Sequence, residues 1–393
     1  MPGWRDELLR VAGDLGGRVF DAADYVADRI AGEGPAAVVP YVGYGTAARV
    51  LVLGRVVRGG ALGPATEGDP RWRNVVNSVR RLTSEGVRRA TVRVRVGSAV
   101  ATVVADDEGF VRQWVELPAP ASAGGWVPAD LELLTPGADA GAAPARATAQ
   151  LLVPGPSAAF GVISDIDDTV VQSHVTDFVR AARTVLLENA RTRLPFPGVS
   201  AFYRALARGT AAHGGAHAAP NPIFYVSSSP WGLHDMIADF MAVQRIPVGP
   251  LLLRDWDINR SLLGAARHHG HKAALVREIL AAYPTLPFIL VGDSGEQDPE
   301  IYRAVVHDHP GRVLAVYIRD VTRAAPRSGA IRRLADEVRA AGSTLVLADD
   351  TVAAARHAAE HGWIDPAALA AVVEDKREDE GTAPGKEPAP GVG

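Results

Sequence analysis

The run Gly161-Val162-Ile163-Ser164-Asp165-Ile166-Asp167-Asp168-Thr169 constrains this chain more than any other stretch. Apolar residues carry a strand into a core, and carboxylates then stop it abruptly. In an open α/β sheet such strand ends face the crevice where ligands bind. Two acids one residue apart can serve one reacting group as nucleophile and proton carrier, with a cation offsetting their repulsion. Taken alone, such an acid cluster after a strand is more often a solvated turn, so partners elsewhere must decide.

Those partners come in chain order. Ile223 to Val226 is a second apolar run and ends in Ser227-Ser228-Ser229-Pro230-Trp231. Phe288 to Val291 is a third and ends in Gly292-Asp293-Ser294-Gly295-Glu296-Gln297-Asp298. Between them, His271-Lys272-Ala273-Ala274-Leu275-Val276 opens a helix-like stretch with a lysine near its start. Asp-x-Asp-x-Thr, a strand-end serine, a lysine and Gly-Asp-x-x-x-x-Asp together resemble the four-part signature of the haloacid-dehalogenase (HAD) superfamily of phosphotransferases. Longer strings narrow this: Leu187-Glu188-Asn189-Ala190, Leu194-Pro195-Phe196-Pro197-Gly198, Tyr225 to Trp231, and Asp298-Pro299-Glu300-Ile301-Tyr302. With Ser164 to Thr169, they are similar to the catalytic domain of the actin-patch-protein type of phosphatidate phosphatase, over roughly residues 155 to 325.

The resemblance implies a role for each residue. Asp165 would attack phosphorus to give an aspartyl-phosphate, and Asp167 would protonate the leaving alkoxide and then activate water. Ser227, with Thr169, Ser228 and Ser229 beside it, would bind the phosphate oxygens, and Lys272 would add a point charge. Asp293 would complete an Mg²⁺ site with the Asp165 side chain and the Asp167 carbonyl, an all-oxygen set suited to a hard cation. Asp298 would stand behind them, holding Lys272 or metal-bound water. On the residues alone, Ser227 could instead cap a helix, Lys272 could be a surface lysine, and Asp293 a turn residue. His268, His269 and His271 read as a phosphate contact, as structural, or as a zinc site lacking a distant ligand set. Arg254-Asp255-Trp256 reads as a crevice flank or an ordinary loop.

With 393 residues there is room for two domains and a sizeable core. An amphipathic helix is expected over 4–31, with Trp4, Leu8, Val11, Leu15, Val19, Ala22, Val26 and Ile30 on one face. Alternating Val92, Val94 and Val96, with Arg93 and Arg95 between them, mark a small antiparallel β-sandwich within 36–150. From 151 the pattern becomes strand–helix alternation, with apolar runs ending near Asp255, Asp320 and Asp349. An α/β fold is expected over 151–373, an HAD-like parallel sheet with helices on both faces. Residues 374–393, charged and Pro/Gly-rich, are expected to form a disordered tail.

Composition narrows the function. There are no cysteines, which removes thiol catalysis and thiolate metal sites. No apolar stretch reaches the roughly 20 residues of a membrane span, and acids near the start displace a signal-peptide core, so a cytoplasmic protein is expected. Net charge is −4, yet Arg49 to Arg95 is rich in arginine. That stretch is either a cationic surface for anionic membrane or nucleic acid, or the wet face of a sheet. The expected function is Mg²⁺-dependent hydrolysis of a phosphomonoester. The resemblance supplies phosphatidate as substrate, in peripheral contact with a membrane. A phosphatase for another large substrate, such as a nucleic-acid end, and a non-catalytic adaptor are the alternatives.

Overall fold

A computed structural model of the chain describes residues 35–58, 86–121, 124–135, 144–166, 197–210, 220–254, 266–321 and 324–381. The expected helix over 4–31, and a second one that the sequence suggests from Asp177 to Arg191, lie outside the described residues. The chain divides into two compact units: residues 1–43, 51–118 and 128–151, and residues 44–50, 119–127 and 152–393.

Seven strands precede the catalytic motifs: β1 (Ala37–Gly45), β2 (Arg49–Val57), β3 (Thr91–Val96), β4 (Ala99–Val104), β5 (Phe110–Glu116), β6 (Gly125–Thr135) and β7 (Arg146–Val153). Valines alternate with polar residues along β3 so that Val92, Val94 and Val96 are buried and Arg95 is exposed. The expected sandwich of two sheets is corrected here. All seven strands join one ladder in the order β4-β3-β6-β7-β1-β2-β5. Its two edges, β4 and β5, are consecutive in sequence and lie against each other. The sheet therefore curls on itself, which buries one face without a second sheet.

Among the described residues of this unit, four arginines are paired with acids. Arg93 stands opposite Glu132 in register and bonds it at 2.7 Å, and Arg146 bonds the same carboxylate at 2.9 Å. Those two guanidinium groups, Arg146 first, hold the Glu132 carboxyl below its usual range. Arg88 and Arg89 both face Asp107, at 3.8 and 3.0 Å.

The second unit is the strand–helix alternation expected from sequence. Its elements are β8 (Gly161–Asp165), α1 (Val199–Arg208), β9 (Ile223–Pro230), a 3-10 turn (Trp231–Leu233), α2 (His234–Val243), β10 (Leu251–Arg254) and α3 (Ala266–Ala282). They continue with β11 (Phe288–Asp293), α4 (Asp298–Asp308), β12 (Val313–Arg319), α5 (Ala325–Ala340), β13 (Thr344–Ala348), α6 (Thr351–Glu360) and α7 (Ala368–Gly381). Six strands form a sheet in the order β10-β9-β8-β11-β12-β13, and every neighbouring pair is parallel. The chain builds outward from β8 through β9 to β10, then returns to the other side of β8 for β11. Between β8 and β11 the winding reverses, and the carboxyl ends of strands at such a switch point open a crevice.

Parallel strands buried on both faces read as unbroken apolar runs, and β8 and β11 are buried at every residue. Tyr44 also belongs to this unit. It is fully buried, packs edge-on against Phe224, and donates its hydroxyl to Glu278 of α3 at 3.0 Å.

The expected start of a structureless tail at 374 is also corrected, because α7 continues to Gly381. Its acids are partnered rather than solvated. Asp375 and Asp379 accept from the amides of Ala201 and Gly198 at 2.8 and 2.7 Å, capping the first turn of α1. Gly198 holds φ at 82°, and a Cβ there would press on the Val372 carbonyl. Lys376 pairs with Asp350, the N-cap of α6, at 2.6 Å. Charge that reads as solvating in one dimension thus satisfies two helix ends.

Candidate active site

Asp165 is the last residue of β8 and is 5% exposed. The strand can run this deep because Gly161, at its start, leaves room for the Phe288 ring. Just before Asp165, the Ser164 hydroxyl donates to the Asp165 carbonyl at 2.8 Å and lies 2.6 Å from the Tyr203 hydroxyl. Burial pushes the Tyr203 phenol well above its usual range, so it stays a neutral hydrogen-bonding group. The backbone that presents Asp165 is held from below.

Asp293 ends β11, on the far side of the switch point. Its Oδ1 accepts from the amides of Gly295 and Glu296, at 2.6 and 3.2 Å, so the loop folds around the carboxylate. Asp298 opens α4, is fully buried, and accepts from the Asp293 amide through Oδ2 at 3.2 Å. Gly292 is required here, because a Cβ at that position would collide with the Asp298 carboxylate.

Lys272 comes from α3 and is 1% exposed. Its Nζ lies 2.8 Å from Asp165 Oδ1, 2.8 Å from Asp298 Oδ1 and 2.9 Å from Glu296 Oε2. An ammonium taken this far from water is tolerated only with such partners. Burial still dominates at Asp298, raising its pKa to about 6 against the downward pull of Lys272.

Asp165, Asp293 and Asp298 can bring one oxygen each within 4.8 Å of the others, and all three are buried. With Glu296 they make four acids around one lysine, an excess of negative charge that favours a cation. Both Asp298 oxygens are already engaged, by Lys272 and by the Asp293 amide. Asp165 and Asp293 are therefore the direct candidates, and an all-oxygen pair with room for water fits Mg²⁺. Among the described residues no histidine belongs to this group. His271 is half-buried beside Lys272.

Other expected residues fall as follows. Ser227 follows Val226, which pairs with Asp165 across β8 and β9, so its fully buried hydroxyl lies at the same sheet edge. Its oxygen accepts from the Ser229 amide at 2.9 Å, a local turn and not a helix cap. Ser229 is buried and Ser228 half-buried. Arg254 ends β10 at that edge. Asp167, Thr169, Asp255 and Trp256, with the side chains of His268 and His269, lie outside the described residues.

Sequence reasoning missed three contributors. Glu296 carries no expected role, although an acid three residues after Asp293 is an available signal. Tyr203 gave none. Neither did Arg327 of α5, which donates to the carbonyls of Ser294 and Glu296 at 3.0 and 2.6 Å and pairs with Glu300.

Residues 160–320 match the family described as phosphatidate phosphatase APP1, catalytic domain. Phosphatidate phosphatase APP1 of Saccharomyces cerevisiae is 32% identical over 160 residues, which is 40% of this chain and 25% of that protein. An uncharacterised protein of Schizosaccharomyces pombe is 30% identical over 165 residues, 41% of this chain and 25% of that one. The chain thus spans about a quarter of the length of the curated relatives it matches. Among solved structures, a carbohydrate acetylesterase from Xanthomonas citri, 15% identical, overlaps 77% of this chain and 74% of that one at a TM-score of 0.24, too low to carry an argument. The matched segment contains Asp165, Lys272, Asp293 and Asp298, the residues gathered at the switch point. Over residues 160–320 the chain is thus similar to the catalytic domain of phosphatidate phosphatase APP1.

Proposed function

We propose that this protein is a phosphatase of HAD-like architecture that hydrolyses phosphatidate to diacylglycerol and phosphate. The single observation that carries the reading is Lys272 held between Asp165 and Asp298 at the β8–β11 switch point. In the first step, Asp165 attacks phosphorus and the lipid alkoxide leaves, giving an aspartyl-phosphate. In the second, water attacks phosphorus and the Asp165 carboxylate leaves, releasing phosphate. Asp167, two residues beyond the nucleophile, gives the alkoxide its proton and then takes one from the water. Lys272 lowers the charge on the nucleophile and on the incoming phosphate, and the Ser227 turn receives an equatorial oxygen. Asp165 and Asp293 would hold Mg²⁺, which when bound neutralises phosphate charge.

Phosphatidate as substrate rests on the family match, while the residues themselves support phosphomonoester chemistry. Among the described residues no helix is long and apolar enough to cross a membrane. Contact with lipid is taken to be peripheral, and among the described arginines Arg88, Arg89 and Arg93 each face an acid. Phosphate release from phosphatidate vesicles, nucleic-acid ends and soluble phosphomonoesters, compared side by side, tests the assignment. Turnover confined to nucleic-acid ends would overturn the lipid reading, and turnover of none would overturn the phosphatase.

A further inference from the structure

The loop between β11 and α4 and the residues on either side of it carry three of the four acids at the site, yet the loop's own sequence, Ser294-Gly295-Glu296-Gln297, has little to hold it. Glycine and short polar residues leave a backbone many conformations. Besides the Asp293 carboxylate, which holds two of its amides, the loop is held from the first turn of α5. The Arg327 guanidinium donates from Nε to the Ser294 carbonyl at 3.0 Å and from one terminal nitrogen to the Glu296 carbonyl at 2.6 Å. It also grips both carboxylate oxygens of Glu300. The anchor itself is braced. Ser294 donates its hydroxyl to Asp320 at 3.2 Å, and the second Asp320 oxygen accepts from Ser328, the residue after Arg327, at 2.6 Å.

We propose that Arg327 is a positioning residue for this site, clamping residues 294–300 so that Asp293, Glu296 and Asp298 converge on Lys272. The proposal rests on the phosphatase reading only for its kinetic consequence. Arg327 meets no reacting atom in this role, since its donors are spent on the loop. Its planar fork spans two carbonyls and a carboxylate at once, which a lysine ammonium on a flexible stem cannot do. Loosening such a supporting contact commonly lowers metal affinity or activity by about 10- to 100-fold.

The test uses the full chain with Arg327→Lys and, as a milder cut at the other end of the clamp, Glu300→Gln. Three quantities are read: hydrogen exchange at the Gly295 and Glu296 amides, Mn²⁺ affinity by titration calorimetry, and kcat and KM on a soluble phosphomonoester. Arg327→Lys should speed exchange at both amides, weaken Mn²⁺ binding about tenfold or more, and lower kcat with little change in KM. Glu300→Gln should move the same quantities less, and it decides the question should Arg327→Lys not fold. Faster exchange with unchanged Mn²⁺ affinity and kcat would reduce Arg327 to a structural brace and overturn the proposal, as would unchanged exchange. A wild type that binds Mn²⁺ but turns over no phosphomonoester would overturn the phosphatase alone. One that neither binds nor turns over would overturn both.

Discussion

Lys272 Nζ and Asp165 Oδ1 lie 2.8 Å apart with side chains only 2% and 3% exposed. A pair this dry is weak evidence for stability, because desolvation offsets much of the Coulomb attraction. It is stronger evidence for a site, where a charge is kept to meet a charged ligand.

Replacing Asp165, the proposed nucleophile, separates chemistry from fold. Asp165→Asn is nearly isosteric, and its amide cannot attack phosphorus. Turnover should fall by at least roughly 10³-fold while the melting temperature is kept. Phosphate release by the purified variant checks this, and substantial residual turnover would remove the aspartyl-phosphate route.

Lys272→Met should be costly to the fold itself. It strands the buried carboxylates of Asp165 and Asp298, a loss of about 3–5 kcal/mol near neutral pH. Acid protonates Asp298, whose pKa burial has already raised to about 6, so the loss should shrink at pH 5. Urea unfolding of both proteins at pH 5 and pH 8 measures it. A loss independent of pH would mean the effect is packing alone.

Asp298 gives a pH dependence with a definite sign. Burial lifts its pKa to about 6, above the value in an unfolded chain. Between about pH 4 and 6 the folded state therefore holds more of this proton than the unfolded state. Its contribution to stability falls as pH rises through that window, by roughly 1–3 kcal/mol in metal-free protein, and is flat above it. Asp298→Asn should remove that part of the slope when unfolding is followed from pH 4.5 to 7 in EDTA. An identical slope in both proteins would place the titration elsewhere.

Metal removal should silence the protein. After exhaustive EDTA dialysis, phosphate release should stop, and added Mg²⁺ should restore it. Asp293→Ala should need far more Mg²⁺ or fail to recover. Full activity in chelated enzyme would rule out the Asp165–Asp293 cation site.

The α7 acids should act as caps for α1. Losing a capping carboxylate costs about 0.5–2 kcal/mol, so Asp379→Ala and Asp375→Ala should each lower stability by that amount. Thermal melting of each variant reads the effect. An unchanged melt for both would make α7 a passenger on α1.

The sequence alone carried the strand ends. Continuous apolar runs closing on Asp165, Ser227 and Asp293 follow from parallel strands buried on both faces, and such strands must deliver their polar ends to one edge. Lys272 and Asp298 were legible because their spacing from those strands fits the resemblance. Tertiary structure decided the rest. Return of the chain to the far side of β8 is what makes Asp165 and Asp293 neighbours, a matter of strand order that no local pattern encodes. Whether charges are paired or solvated is also settled across space. Arg93 of β3 meets Glu132, and the acids of α7, which read as disorder, meet helix amides. Arg327 gave no sign at all, because the carbonyls it holds lie about thirty residues earlier and have no side-chain signature.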